Sequence, residues 1–153
     1  MSHIEKSDIV NPKNLSTRYG IIAGILMALF LMSFQVSGND FSPYLKLFKY
    51  GILGSAIVFA LISYKSSKKS KGIFIKGMTI GNKLSLVAAS ILAIINIILF
   101  FTTNEWAFSK YGMEPETFFQ SFVISGILFF ETFVFGMIIT LSALQFMKER
   151  VRL

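Results

Sequence analysis

The chain of 153 residues has no Cys, which excludes a disulfide framework and any thiolate for metal binding or nucleophilic attack. It has one His, His3, in a polar N-terminal stretch. A lone His makes no metal site, because ligand sets need several donors converging. Charge is scarce too: 15% of residues are charged and 54% are hydrophobic. Soluble domains of this size carry more charge, so composition alone places the chain in the membrane class. Acids are the rarer sign, 8 against 15 Lys and Arg, for a formal net charge of +7. Glycine-rich phosphate loops of the Walker or dinucleotide type are absent. Ser is plentiful, but none has a plausible base beside it, so nucleophilic catalysis has no support. An enzyme is the least favoured class, and no cofactor is expected.

Long apolar runs are what the chain does have. A helix needs about 20 apolar residues to cross the hydrocarbon core of a bilayer. Four segments qualify: Tyr19 to Val36, Tyr44 to Tyr64, Leu84 to Thr102 and Phe118 to Met147. The expected fold is an all-α, integral membrane bundle of four transmembrane helices. Residues Met1 to Arg18 read as a cytoplasmic tail in which Pro12 interrupts any helix. A signal peptide fits less well, since the polar lead is long and no small-x-small cleavage site follows. Ser37 to Pro43 is a turn cluster. Asn104 to Glu116 reads as an outer loop, with Trp106, Phe108 and Tyr111 as an interfacial belt and Pro115 beside two acids as a helix start. Residues 148–153 form a second tail.

The most basic stretch runs from Lys65 to Lys83 and carries Lys65, Lys68, Lys69, Lys71, Lys76 and Lys83. Between these lysines, Ile73, Phe74, Ile75, Met78 and Ile80 read as a short interfacial segment with its basic groups toward headgroups. The ordinary positive-inside signal explains the stretch better than a particular lipid site does. Nucleic acid is not an expected partner, because Arg and aromatic groups are sparse there. Twelve of the 15 Lys and Arg fall in the two tails and this stretch. That asymmetry predicts that both termini are cytoplasmic, N-in and C-in. Lys46 and Lys49, in the first turns of the second segment, are expected to snorkel outward to headgroups.

Small residues recur at helical spacing. Gly20, Gly24 and Ala28 share one face of the first segment. Gly77, Gly81, Ser85, Ala89 and Ala93 form a longer ladder through the third, and Ser121, Ser125, Thr132, Gly136 and Ala143 a stripe on the fourth. Such faces let helix backbones approach closely, and packing within the protein is preferred to a homodimer seam. Asn96 is expected to hydrogen-bond a neighbouring helix. The Tyr-Gly pairs that follow Arg18, Lys49 and Lys110 read as coincidence, since their flanks match poorly.

Glu131 stands alone near the middle of the fourth segment. An ionisable group at that depth is a functional-site hypothesis by default. It lies about 100° round the helix from Thr132, at the flank of the small-residue stripe. Its simplest role is a carboxyl hydrogen-bonded to Asn96, to a Ser of another helix or to a backbone carbonyl. Contact with another membrane protein or a second copy comes next, then proton or cation handling. No second membrane acid pairs with it.

Three stretches carry a family likeness: Arg18-Tyr-Gly-Ile-Ile-Ala-Gly-Ile-Leu, the Lys-Gly-Ile-Phe-Ile-Lys-Gly lead into the third segment, and Phe130-Glu131-Thr-Phe-Val-Phe-Gly136 with Thr140-Leu-Ser-Ala-Leu144. From about Ser16 to Lys148 the chain resembles the domain-of-unknown-function 4199 family, small four-helix membrane proteins mostly from Bacteroidota. The last motif is the specific one, although family members typically have Pro where this chain has Phe135. The resemblance implies the four-helix fold, a bacterial inner membrane and an interest in Glu131; it implies no reaction. The expected function is therefore a non-enzymatic accessory or assembly component working through helix packing. A small transporter using Glu131 and a lipid-interacting sensor are the alternatives.

Overall fold

A computed structural model of the chain describes four α-helices: α1 (Pro12–Val36), α2 (Pro43–Ser67), α3 (Ile73–Thr103) and α4 (Phe118–Glu149). Every one contains a stretch long and apolar enough to cross a membrane, and no strand occurs among the described residues. The protein is an all-helical, four-helix bundle with the build of a multi-pass membrane protein. Helices are the open-ended way to cross a bilayer, because each backbone N–H and C=O is satisfied within its own segment.

All four helices reach beyond the spans expected from hydropathy. Pro12 opens α1 and does not interrupt it. At the first helical position its missing N–H costs nothing, since that donor has no partner in any helix. The stretch expected to lie as an interfacial segment is likewise helical from Ile73 onward and forms the first turns of α3. Its glycines mark close approach, not a break: a Cβ on Gly77 would lie 2.6 Å from the Leu144 side chain, and one on Gly81 would lie 2.8 Å from the Thr140 Cβ. α4 continues unbroken through Phe135.

Neighbour pairs give the topology. Gly20 of α1 abuts Leu84 and Val87, and Gly24 abuts Ala88 and Ile91, so α1 and α3 run parallel. Across α3 and α4, Gly77 meets Leu144, Gly81 meets Thr140 and Ser85 meets Gly136. Each step of four forward on α3 is a step of four back on α4, which makes the two antiparallel. α2 runs against α1, with Phe48 stacked on Phe30 at 5.8 Å and Ser63 beside the Tyr19 hydroxyl at 3.4 Å. α3 packs on all three other helices, whereas α1 and α4 make no contact among the described residues.

The core follows from i, i+4 spacing, which stacks residues on one helix face. α1 buries Ala23, Met27 and Leu31; α2 buries Leu53, Ile57 and Leu61; α3 buries Leu84, Ala88 and Leu92. α4 differs: besides Leu128 and Leu144, its buried face holds Ser125, Thr132 and Thr140. Its bulk points outward, with Phe119, Phe122, Phe130, Phe135 and Phe146 all exposed. Small or polar inside and aromatic outside is the arrangement of a helix that meets lipid on one side and a tight backbone contact on the other.

Candidate functional site

The packing seams place the small residues inside the protein. On α1, a Cβ on Gly20 would lie 2.9 Å from the Leu84 carbonyl oxygen, and one on Gly24 would lie 2.9 Å from the Ile91 Cβ; Ala28 is buried beyond them. On α3, Ser85 and Ala89 are fully buried, while Ala93 is half-buried. Gly136 receives the Ser85 side chain, and Thr132 and Ser125 continue the seam toward the start of α4. The Ser85 hydroxyl donates to the Gly81 carbonyl at 2.8 Å, and Thr140 donates to the Gly136 carbonyl at 2.7 Å. Both hydroxyls are thus satisfied along their own helix, which lets them sit at a dry interface.

Asn96, fully buried on α3, donates through Nδ2 to Ser125 Oγ of α4 at 2.8 Å. This is the interhelical bond expected of it, but its partner is Ser125 and not Glu131. Asn96 Oδ1 and Thr132 Oγ1 are buried without a hydrogen-bond partner among the described residues.

Glu131 instead meets α2. Lys49 Nζ lies 3.8 Å from Glu131 Oε1, and the Tyr50 hydroxyl donates to the same oxygen. The Lys49 side chain is 0% exposed and that of Glu131 27%. This corrects the expectation that Lys49 reaches headgroups, and it supplies the ionisable partners that Glu131 lacks in the sequence reading. The Lys49 ammonium also lies 4.6 Å from the centroid of the Tyr50 ring, a cation–π distance. The Tyr50 ring stacks on Phe135 at 4.2 Å, one turn beyond Glu131, and this stack sets the phenol where its hydroxyl meets the carboxylate. Two adjacent residues of α2 therefore clasp two residues of α4, one turn apart.

No family model, curated protein or solved structure matches the chain.

The clasp pairs opposite charges within apolar packing, where an unpaired buried charge is costly, and the positive partner is the more deeply enclosed. Both contacts converge on Oε1; among the described residues Oε2 accepts no hydrogen bond. Glu131 also lines a shallow groove along the outer face of α4, between Phe130, Val134 and Phe135 and near the open position at Gly126. The carboxylate thus faces the protein through one oxygen and borders the membrane-facing groove.

Sequence reasoning missed Lys49 and Tyr50, although a signal was present. Lys49 is four residues before Leu53 and eight before Ile57, on the stripe that α2 buries. Of the lysines expected at headgroups, Lys76 is exposed and Lys65 and Lys83 are half-buried. Lys68, Lys69 and Lys71 lie outside the described residues, as do His3, the aromatic residues of the outer loop and the side chain of Lys46. The three Tyr-Gly pairs do not share an environment where described: Gly20 is packed against α3, whereas Gly51 has open space.

Proposed function

We propose that this chain is a non-enzymatic component of a bacterial inner membrane, with both termini cytoplasmic, and that it works as an accessory or assembly subunit through helix packing. The supporting observation is that Glu131, 27% exposed beside its α2 partners, borders the outer groove of α4. The membrane-crossing stretch of α4 is 22% buried, against 33% to 39% for the other three helices. A polar group left open to hydrocarbon costs several kcal/mol, so a partly covered carboxylate on the least covered helix favours a further membrane element as its cover. Purification in mild detergent, with crosslinking in the native membrane beforehand, tests the reading. The expected result is a defined assembly containing this chain. A strict monomer in both measurements refutes it.

A second reading is proton or cation handling, favoured by the contact of three ionisable side chains, Lys49, Tyr50 and Glu131. The α3 and α4 seam is too tight for a water path at Gly81 and Gly136, so any such route follows the side where α2 meets α4. It predicts flux in proteoliposomes that disappears in Glu131→Gln. Absent flux, or a Gln variant that conducts like the parent, eliminates it.

A further inference from the structure

We infer that the groove along α4 receives a transmembrane helix of a different protein, one that presents an uncharged hydrogen-bond donor to Glu131. This rests on the assembly reading and specifies its partner. Depth comes first. Glu131 lies nine residues inside the apolar stretch of α4 that begins at Phe122, about 14 Å along the helix at 1.5 Å per residue. The acyl chains that would otherwise fill the groove have no donor to offer the carboxylate.

Charge comes second. Lys49, 3.8 Å away, already balances the carboxylate. A Lys or Arg on the incoming helix leaves an unbalanced positive charge in the hydrocarbon, and an acid leaves a negative one. A Gln or Asn amide, or a Ser, Thr or Tyr hydroxyl, satisfies Oε2 without either penalty.

Shape comes third. The groove residues Val123, Gly126, Ile127, Phe130 and Val134 recur at three- and four-residue steps, the stripe one helix offers another. Within 4 Å of where a Cβ on Gly126 would sit there is nothing, so the stripe is indented five residues before Glu131 and an incoming backbone can approach there. A second copy does not meet the requirement. Two α4 helices related by a two-fold axis along the membrane normal set Glu131 against Glu131 at equal depth. The remaining groove residues are Val, Gly, Ile and Phe, and Thr132 points into the bundle.

The test uses the full chain in liposomes with labelled synthetic transmembrane peptides. Three Leu–Ala host helices are compared, carrying a central Gln, Leu or Lys, and association is read by energy transfer. The Gln host is expected to bind about three- to tenfold more tightly than the Leu host, the range for one interhelical hydrogen bond in a membrane. The Lys host is expected to gain nothing. The Gln preference disappears in Glu131→Leu. Because that variant strands Lys49, the Lys49→Met/Glu131→Leu pair is measured alongside it and must lose the preference as well. Gly126→Phe, which fills the indentation without entering the packed interior, weakens binding of every host. Equal binding of the Gln and Leu hosts, a Gln preference surviving in the double variant, or strongest binding by the Lys host overturns the inference. So does pairing of two labelled copies of this chain that Gly126→Phe abolishes. An assembly in native membranes without a Gln preference sinks the groove alone. A Gln preference in a protein that is monomeric in native membranes sinks the assembly role alone.

Discussion

Lys49 is the most enclosed charge among the described residues, and its position makes Glu131 more than a polar fastener. Removing one member of a buried pair strands the other, at a cost of about 3 to 5 kcal/mol, whereas replacing both with apolar groups of similar volume is often neutral. Lys49→Met and Glu131→Leu are therefore each expected to destabilise the bundle by that order, and the double variant to recover most of the loss. Reversible unfolding by detergent titration, run as a double-mutant cycle, measures this. Additive losses would remove the ion pair from the account. Asn96, by contrast, was legible from sequence: a buried amide on a packing helix has few outlets besides a neighbouring helix, and it uses Ser125. The Lys49 clasp was not, because snorkelling and burial begin from the same sequence, a Lys in the first turns of an apolar helix. Which one occurs depends on whether a carboxylate from a segment about 80 residues away arrives at the same height.

At the scale of the helices, the seam between α3 and α4 governs the packing. Gly81 and Gly136 lie where a methyl group has no room, while Gly126 faces open space. Gly136→Ala is expected to cost about 1 to 3 kcal/mol through overpacking against Ser85. Gly126→Ala is expected to be neutral or to stabilise by up to about 1 kcal/mol, through helix propensity alone. The same detergent titration separates the two, and equal effects at both sites would contradict the seam. The small-residue ladders were readable because period-four spacing survives without knowledge of the partner. The helix ends were less so. Hydropathy marks where lipid begins, not where helical hydrogen bonding begins, and both Pro12 and the Gly77 to Gly81 stretch lie between those limits.

For the whole molecule, the absence of Cys makes topology directly measurable. If both termini are cytoplasmic, as proposed, Ser70→Cys resists an impermeant maleimide in intact spheroplasts and reacts after lysis. Ser109→Cys is expected to react in both; the reverse pattern would invert the bundle. Burial of Lys49 sharpens the charge asymmetry behind this orientation, because that lysine now belongs to the interior and not to the outer side. The clasp has one more consequence, and it concerns synthesis. Its two halves are separated by the rest of α2, by α3 and by the first part of α4 in the order in which they leave the ribosome. A Lys at the centre of an inserting helix raises the cost of its transfer into lipid by about 3 kcal/mol, and Lys49, two residues inside the apolar stretch of α2 that begins at Leu47, meets part of that cost. Until Glu131 emerges, α2 carries that cost unopposed. The nascent chain thus has reason to linger at the insertion machinery, or to let α2 ride shallow, until its last helix is made, so that release into the bilayer coincides with completion of the fold.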